Sequence, residues 1–345
     1  MSDMSHALYA VEEHQAELRP ESQDELRDDQ LRIELELSAE KHGTTLPTFT
    51  GHRQHETFDR DLRLFVDAET VTDPFPFQLG NMGVGSVIEI GASVERFSVG
   101  DRVFGYLPHA ETVVASEDDR VWLAPNGVPN ELLVCTDPVT VALLSTRYGR
   151  VSLGDRVAVF GLGAIGLFTV QTCRLTGAMP VIGIDPIPER RALAETFGAD
   201  ATLDPTEIDA GRTLKEMTDG AGIDVALEIS GSYEALHHAI RGTAYGGNVV
   251  PVSFYHGDPE ALDLSKEWHF NRQTMIAGAR VESEPYHDHP RWDRERVYDT
   301  VFECFERGRL TADGILNTVS LEEAPAAYDR LAENPTDCLK LAIEY

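Results

Sequence analysis

Two patterns of apolar and polar positions follow one another along the chain. From Leu8 to about Val134, short alternating runs separated by Gly, Pro and Asp predict a β-rich region, with strands in LRIELELS, VGSVIEIG, DRVFGY, ETVVAS and RVWLAP. From Asp155, apolar strands, glycine turns and apolar helices alternate through RVAVFGLGAIGLFTVQTCRLTG, PVIGID, ERRALAETFGA, IDVALEIS, YEALHHAIRGTAYGG and NVVPVSF. This alternation predicts right-handed βαβ crossovers and a doubly wound parallel sheet, so the expected fold class is α/β.

The last part of the chain carries two more predicted elements. A helix is expected from Asp293 to Arg307, because Val297, Val301 and Phe305 fall on one face and Gly308 follows as a C-terminal stop. The final segment, LKLAIEY, reads as an apolar strand. The length of 345 residues predicts two domains, at roughly 100–200 residues per domain.

The charge of the chain is strongly one-sided. Asp and Glu number 59 against 29 Lys and Arg, which gives a net charge of −30, and only four of the basic residues are lysines. A basic face for nucleic acid or anionic lipid is therefore not expected. This acidic, arginine-over-lysine composition is typical of a salt-adapted protein, although an acidic protein from an ordinary cytosol remains an alternative.

Cysteine usage and hydropathy bear on the compartment. The four cysteines are far apart, with no CxxC pair, so neither a zinc finger nor a disulfide framework is expected; they are Cys135, Cys173, Cys304 and Cys338. The N-terminal segment MSDMSHALYAVEEHQ lacks the pattern of a secretory signal. The longest uncharged run, Val157 to Cys173, is interrupted by three glycines and is shorter than a membrane span. These features predict a cytoplasmic protein without a membrane partner.

A glycine-rich motif carries the most specific chemical information. GxGxxG follows the strand Val157 to Phe160 and opens an apolar helix; its residues are Gly161, Leu162, Gly163, Ala164, Ile165 and Gly166. In that context the first glycine makes a tight turn, the second lets the backbone approach a pyrophosphate, and the third lets the helix pack on the strand. The free N–H groups at the helix N-terminus then face the phosphates.

Cofactor choice depends on the residues after the next strand. Asp185 ends the segment PVIGID, where an acidic side chain hydrogen-bonds the adenosine ribose and repels a 2′-phosphate. This favours NAD over NADP, although Arg190 and Arg191 on the following helix can also tolerate a 2′-phosphate. Ser230, at the end of IDVALEIS, completes the candidate cofactor residues.

Longer segments carry a family resemblance. LGNMGVGSVIEIGASVERFSVGDRVFGY, followed by GDRVAVFGLGAIGLFTVQTCRLTGA, resembles the medium-chain dehydrogenase/reductase superfamily, the zinc-type alcohol dehydrogenase-like proteins, over almost the whole chain. GTTLPTFTG, FGYLPHAE, WHFNRQTMIAGA and HPRWDRERVYDTVFECFERGRL are similar to the branch that contains bacteriochlorophyllide dehydrogenase-like proteins.

The resemblance implies the domain plan and the reaction class. It implies a GroES-like catalytic domain from residues 1–134 and 280–345, a Rossmann domain over 135–279, and an active site in the cleft. It further implies hydride transfer between nicotinamide C4 and a carbon bearing oxygen, and homodimers or homotetramers that meet at the strand from Thr274 to Ala279.

The chain departs from the family at the zinc positions. The family has Cys-Gly-x-Asp where this chain has His42-Gly43-Thr44-Thr45, and Gly-His-Glu where it has Gly80-Asn81-Met82. His42 can still bind a metal, but Asn and Met are poor ligands for a catalytic zinc ion. The four-cysteine lobe for structural zinc is also missing, so we expect no zinc.

Without a metal, hydrogen bonding must polarise the substrate oxygen and move its proton. Thr44 occupies the position of the family's Ser/Thr that contacts the substrate oxygen, and it is the first catalytic candidate. His42 beside it and His109 are the imidazoles expected to face the cleft, and Asp137 stands near the family's acidic position before the nucleotide domain. For each of the four, a purely structural role remains the alternative.

Three functions remain open at this level. The leading one is an NAD-dependent, zinc-independent dehydrogenase acting on a secondary alcohol or its carbonyl in a small molecule, for example a sugar or polyol. The second is a zinc-free quinone or enoyl reductase of the same superfamily. The third is a non-catalytic nucleotide-binding protein that retains the Rossmann site.

Overall fold

A computed structural model describes residues 4–51, 56–67, 73–255, 259–278 and 291–345, and the side chains of His42, Thr44 and Ala261 are outside the description. Its contacts divide the chain into two units. The first unit combines Met1–Cys135 with Ile315–Tyr345, and the second unit is Thr136–Gly314.

The N-terminal part of the first unit is mostly strand, as the alternating pattern predicts. Its elements are β1 (Ser5–Glu12), β2 (Gln15–Glu21), β3 (Gln30–Ala39), α1 (His42–Phe49), β4 (Glu56–Asp59), β5 (Leu64–Asp67), β6 (Phe77–Gln78), β7 (Met82–Ile90), β8 (Arg102–Gly105), β9 (Thr112–Ser116), β10 (Val121–Leu123) and α2 (Asn130–Leu133).

The second unit alternates helices and strands. Its elements are α3 (Thr136–Tyr148), β11 (Val157–Phe160), α4 (Ala164–Thr176), β12 (Val181–Ile184), α5 (Pro188–Thr196), β13 (Ala201–Leu203), α6 (Ala210–Glu216), β14 (Ile223–Glu228), α7 (Tyr233–Gly242), β15 (Thr243–Pro251), a 3₁₀ turn (Pro259–Ala261), α8 (Glu267–Phe270), β16 (Thr274–Met275) and α9 (Arg294–Glu306).

The chain then returns to the first unit. This last part contributes β17 (Leu316–Ser320), α10 (Ala324–Glu333) and β18 (Lys340–Glu344). In the main sheet of that unit the strands run in the order β10-β8-β7-β3-β18-β17, with β9 also paired to β3. A smaller sheet has the order β2-β1-β6, and its buried face packs against α10 in a core that contains Tyr328 and Phe49. Strands β4 and β5 form a separate antiparallel pair.

The sheet of the second unit is wholly parallel. Its order, β13-β12-β11-β14-β15-β16, is the order 3-2-1-4-5-6 of a doubly wound dinucleotide-binding fold. All four residues of β11 are buried, which explains their unbroken apolar run, because helices cover both faces of such a sheet. The predicted α/β class and doubly wound sheet are confirmed.

Helix α9 shifts the division between the units. It forms as expected, with Val297, Val301 and Phe305 buried and the Asp293 side chain accepting a hydrogen bond from the Arg296 N–H. However, α9 packs on α3, so residues 291–314 belong to the second unit, whereas the predicted boundary placed residues 280–345 in the first. The helical period locates a helix and its apolar face but does not identify the surface that this face covers.

In the part of the chain that the structure describes, no helix is both long and apolar enough to cross a membrane.

Candidate functional site

The glycine-rich turn lies where β11 ends and α4 begins. Gly161 has φ +87°, and a Cβ there would lie 2.7 Å from the backbone N of Ser230. A Cβ on Gly166 would lie 1.9 Å from the carbonyl O of Gly161. Both positions therefore require glycine, the first for its backbone conformation and the close Ser230 loop, the second for the approach of helix to turn.

The middle glycine has a different environment. A Cβ on Gly163 would meet no atom within 4 Å, so space is open above this part of the turn. Gly163 is also the N-cap of α4, and no side chain caps this helix end. Open space beside uncapped N–H groups is the arrangement that accepts a phosphate group.

Asp185 is held beside this turn with its side chain almost fully buried. One carboxylate oxygen, Oδ2, accepts a hydrogen bond from the Leu162 N–H at 2.8 Å, and Oδ1 accepts one from the Ile187 N–H at 2.9 Å. The guanidinium of Arg191 donates to the Asp185 carbonyl at 2.7 Å and forms an ion pair with Asp204 at 2.9 Å. Arg191 is therefore already engaged with protein groups.

A cavity of about 310 Å³ opens at this edge of the sheet. It lies over the carboxyl ends of β11, β12 and β14, the position where doubly wound sheets bind nucleotides. Phe160 and Ile184 contribute apolar walls. The polar part of the lining includes Asp185, Ser230, Thr206, Ser232 and His238.

A buried glutamate fixes the loop that faces the glycine turn. Glu228 ends β14 and accepts hydrogen bonds from the N–H groups of Ser230 at 2.7 Å and Gly231 at 3.2 Å, and from the hydroxyl of Tyr255. Burial raises the pKa of Glu228 and that of Tyr255. The pattern of residues did not predict this group, whose one signal in the sequence is an acidic residue at the end of a buried apolar strand.

The first unit contains a second buried polar group, centred on His109. His109 is 0% exposed, so its side chain does not face solvent as a direct contact with substrate requires. Its Nδ1 lies 2.6 Å from Ser38 Oγ, and its Nε2 lies 3.0 Å from the hydroxyl of Tyr328. Tyr328 in turn hydrogen-bonds the carboxylate of Glu40, which is also buried.

The pKa values in this cluster follow from burial and hydrogen bonding. Burial lowers the pKa of His109 to about 4, against the opposing charge of Glu40. Burial acts to raise the pKa of Glu40, but His109 and the hydrogen bonds from Tyr328, Thr45 and the Lys41 N–H lower it overall. The net effect lowers the pKa of Glu40, so Glu40 is the ionised hydrogen-bond acceptor of the cluster near pH 7.

Hydrogen bonds join the Gly80-Asn81 segment, where the resemblance places a zinc ligand, to the residues just before α1. The Gly80 N–H donates to Glu40 Oε2 at 3.1 Å, and the Asn81 N–H donates to the Ala39 carbonyl at 3.1 Å. Met82 is fully buried in β7, and Asn81 Nδ2 is buried without a hydrogen-bond partner. An amide and a buried thioether do not fit a catalytic zinc ion.

No other metal site takes their place among the described residues. Nowhere in these residues do three or more His, Cys, Asp or Glu side chains come together as a metal site requires. None of the four cysteines is in a disulfide, and Cys135 and Cys173 are buried.

The remaining catalytic candidates are placed as follows. His42 and Thr44 lie in the first turn of α1, and their side chains are outside the described part of the structure. Asp137 is buried in the first turn of α3, in the second unit. Arg190 lies partly exposed on α5.

Comparisons with known proteins identify the family. A family described as zinc-binding dehydrogenase matches residues 164–291, and the alcohol dehydrogenase GroES-like domain matches residues 57–135. D-Guloside 3-dehydrogenase of Escherichia coli K12 is 36% identical over 326 residues, which cover 92% of this chain and 93% of the relative. (R,R)-Butanediol dehydrogenase of Bacillus subtilis is 30% identical over 207 residues, 52% of this chain and 59% of the relative.

Solved structures agree in fold. The crystal structure of 2R,3R-butanediol dehydrogenase from Bacillus subtilis has a TM-score of 0.79 at 22% identity, covering 99% of both chains. A zinc-binding dehydrogenase from Sinorhizobium meliloti 1021, bound to NADP, has a TM-score of 0.79 at 21% identity, covering 99% of this chain and 100% of that one.

The chain belongs to the zinc-type alcohol dehydrogenase-like family of medium-chain dehydrogenases and reductases. It is an alcohol-dehydrogenase-like oxidoreductase of an NAD(P)-dependent family, with the expected GroES-like and Rossmann domains.

Proposed function

We propose that this protein is an NAD-dependent, zinc-independent dehydrogenase that transfers a hydride between nicotinamide C4 and a secondary alcohol carbon of a sugar or polyol. The observation that carries the proposal is the glycine turn with Asp185 at the same cavity. Gly161 to Gly166 bind the pyrophosphate through backbone N–H groups, and Ser230 lines the same cavity.

The preference for NAD rests on the charges around the adenosine ribose. Asp185 places a buried carboxylate at the cavity. This carboxylate accepts hydrogen bonds from the ribose hydroxyls, and its negative charge repels a 2′-phosphate. Arg191 is paired with Asp204 rather than free to bind a phosphate. Of Asp185, Arg190 and Arg191, only Arg190 favours NADP, because its guanidinium can bind a 2′-phosphate.

The substrate class is supported by the relative that matches almost the whole chain. That relative acts on a D-guloside at position 3, and the shared length of 326 residues includes both domains. A sugar carries secondary hydroxyls of the kind that this reaction oxidises. The similarity to bacteriochlorophyllide dehydrogenase-like proteins in four segments stays a prediction about ancestry and does not define the substrate.

Zinc independence rests on the donors at the family's ligand positions. Asn81 Nδ2 is an unpaired amide donor at the place of a zinc ligand, and an amide N–H stabilises a developing oxyanion by hydrogen bonding. Thr44 is the proposed contact to the substrate oxygen, with His42 beside it. Asp137 is too buried for a direct role in this scheme and is proposed as structural.

Assembly and location follow from the same features. The net charge of −30 disfavours nucleic acid and anionic lipid as partners, and four cysteines without a disulfide suit a cytoplasmic protein. Among the described strands, β16 pairs with β15 alone, which leaves its other edge for a second copy of the chain. The proposed unit in solution is a homodimer or homotetramer, and light scattering measures it directly.

The test combines cofactor binding, metal content and turnover on one preparation. NADH and NADPH are titrated by fluorescence in molar KCl, zinc is measured by elemental analysis, and methyl α-D-guloside, 2,3-butanediol, a benzoquinone and an enone are offered as substrates. Tighter NADH binding, less than 0.1 zinc per chain and turnover of an alcohol are the expected results. Turnover of the quinone or enone alone indicates a reductase, and binding without turnover of any of the four substrates indicates a nucleotide-binding protein.

A further inference from the structure

A continuous hydrogen-bonded chain of side chains crosses the first unit. Tyr345 OH lies 2.7 Å from Ser38 Oγ, which lies 2.6 Å from His109 Nδ1. On the other side of the ring, His109 Nε2 lies 3.0 Å from Tyr328 OH, and Tyr328 donates to Glu40. The Thr45 hydroxyl on α1 hydrogen-bonds the same carboxylate. The members in order are Tyr345, Ser38, His109, Tyr328, Glu40 and Thr45.

The middle of this chain is sealed from water and its two ends are not. Ser38, His109, Tyr328 and Glu40 are each at most 1% exposed. Tyr345 is partly exposed and lines an open cleft of about 690 Å³. The lining of this cleft also includes the acidic residues Glu36, Glu111 and Glu344. Thr45 is also partly exposed, one residue after Thr44. The chain therefore joins two surface points through a dry interior.

The direction of every hydrogen bond follows from the ionised Glu40. A carboxylate only accepts, so the Tyr328 O–H must donate to it. The Tyr328 oxygen is then free to accept from His109 Nε2–H, which fixes the neutral imidazole as the Nε2–H tautomer and makes Nδ1 an acceptor for the Ser38 O–H. Ser38 in turn accepts from the Tyr345 O–H. All donors point from the cleft toward Glu40.

We propose that this chain is a proton relay that connects the cleft at Tyr345 with the active-site segment at α1, through Glu40 and Thr45. The relay rests on the proposed dehydrogenase function. In carbonyl reduction, NADH delivers a hydride to the carbonyl carbon, and the carbonyl oxygen takes a proton from the Thr45 and Glu40 end. One proton then moves along each hydrogen bond of the chain, through Tyr328, His109, Ser38 and Tyr345. Water in the cleft gives a proton to Tyr345 in place of the one it passed on.

The balance of the reaction is complete without a metal. One carbonyl, one NADH and one proton give one alcohol and NAD⁺, and alcohol oxidation sends the proton outward along the same groups. Each buried member between Glu40 and Tyr345 both donates and accepts a hydrogen bond, as proton hopping requires. A buried polar network that only supports the fold does not need both of its ends at the surface.

Burial keeps His109 in its neutral form against the charge of Glu40. Burial lowers the pKa of His109, and Lys340, whose Nζ donates to the Glu40 carbonyl, lowers it further, while Glu40 opposes both. Tyr328 faces the ring edge, and Glu111 lies beside Tyr345. A neutral imidazole with fixed hydrogen bonds on both nitrogens relays protons in either direction.

The first test examines the relay without turnover. In ¹⁵N-histidine-labelled protein, long-range ¹H–¹⁵N spectra with His109→Gln for assignment identify the tautomer of His109. The Nε2–H form between pH 6 and 9 is the expected result. The Nδ1–H form or a protonated ring in this range reverses the hydrogen bonds and overturns the proposal.

The second test measures proton transfer during turnover of methyl α-D-guloside with NAD. Tyr328→Phe and Ser38→Ala break the chain at two places, whereas Tyr9→Phe removes a tyrosine hydroxyl that hydrogen-bonds Glu21 elsewhere in the same unit. We expect both relay variants to lose at least about tenfold in kcat at pH 7, with KM for NAD within about twofold, and Tyr9→Phe to be unchanged.

The pH profile separates a relay from a structural role. Hydroxide in solvent replaces a broken relay, so the loss in kcat should shrink between pH 7 and pH 10, with a slope in log kcat that the intact protein lacks. A loss equal at all pH values, or no loss in Ser38→Ala, overturns the relay even if Tyr328→Phe fails to fold. A wild-type protein without alcohol turnover contradicts the proposed function instead, and the tautomer of His109 then decides the orientation of the chain.

Discussion

The Asp185 carboxylate accepts a hydrogen bond from the backbone N–H of Leu162 at 2.8 Å, so the residue that directly follows β12 also holds the glycine-rich turn after β11. Two neighbouring strands of the sheet are thereby connected at the edge where the cavity opens. In the proposed function, recognition of the ribose and the shape of the glycine-rich turn depend on the same side chain. Cofactor choice and cofactor affinity are therefore expected to change together when it is replaced.

Replacement of Asp185 by Asn tests this coupling. The amide removes the charge that repels a 2′-phosphate, so the ratio of NADPH to NADH dissociation constants should fall by at least about tenfold, which corresponds to about 1.4 kcal/mol. Fluorescence titration of both cofactors measures the ratio. Asp200→Asn is the control, because Asp200 also accepts a backbone N–H, from Val181, but does not line the cavity. An unchanged ratio in Asp185→Asn would show that Asp185 does not select the cofactor.

Gly161→Ala should weaken both stability and NADH binding. The Cβ meets the Ser230 backbone at 2.7 Å in addition to the strain of φ +87°. Gly220→Ala is the matched control, since Gly220 has φ +86° but open space for a Cβ. Both variants should lose about 1–2 kcal/mol of unfolding free energy from backbone strain. Only Gly161→Ala should lose at least tenfold in NADH affinity, and equal affinities would contradict the proposed role of the turn.

Thermal stability should rise with salt. At a net charge of −30, carboxylates repel one another in dilute buffer, and the Debye length falls from about 10 Å at 0.1 M to about 3 Å at 1 M. The melting temperature in KCl should rise by about 5 °C or more between 0.1 and 2 M. Choline chloride, a salt of a bulky organic cation, should give a similar rise if screening is the cause. A flat curve in both salts would favour an ordinary acidic cytosolic protein.

The buried, neutral His109 should make the protein acid-sensitive. Its pKa is lowered by burial to about 4, whereas an unfolded histidine has a pKa of about 6.5, so between these values the unfolded chain binds the extra proton. Stability is therefore present above about pH 6.5 and is lost as the pH falls toward 4, by roughly 2 kcal/mol between pH 6.5 and 5. Urea unfolding in molar KCl measures it. In His109→Gln, whose side chain does not titrate, the unfolding free energy should fall less over this pH range, by roughly the same 2 kcal/mol. An equal fall in both proteins would contradict a buried, neutral His109.

The four thiols should divide into two classes. Burial raises the pKa of Cys135 and of Cys173 to about 12, and both side chains are 0% exposed. Cys304 and Cys338 are partly exposed. A disulfide exchange reagent at pH 8 should therefore modify at most two thiols per native chain and four after denaturation. Cys135→Ser and Cys173→Ser should leave the native count unchanged, and a lower count in either variant would show that the buried thiol is accessible.

The nucleotide-binding part of the fold could be predicted from the sequence because its constraints are local. Gly161, Gly166 and Asp185 lie within 25 residues of one another, and each is required by a backbone conformation or a strand end that is visible in the pattern. Strand period and glycine spacing are sufficient for such a site.

The buried hydrogen-bonded chain through His109 could not be predicted in the same way. Ser38 and Glu40 have the same parity in the strand pattern as Glu34 and Glu36, which are exposed, so alternation predicts that all four face solvent. Ser38 is buried because His109 and Tyr345 cover it, from residues 71 and 307 positions away. Contacts over such distances along the chain leave no periodic signal, which is also why α9 was predicted to belong to the first unit.

The return of residues 315–345 to the first unit determines the order in which the protein is completed on the ribosome. β18 inserts beside β3 and supplies Lys340 to the Glu40 carbonyl, but the ribosome makes it some 300 residues after β3. The second unit is one continuous stretch and is fully synthesised while the first still lacks two strands of its main sheet, β17 and β18. Nascent chains arrested before β18 should therefore display a closed nucleotide domain and an unfinished sheet edge, the species on which chaperones act.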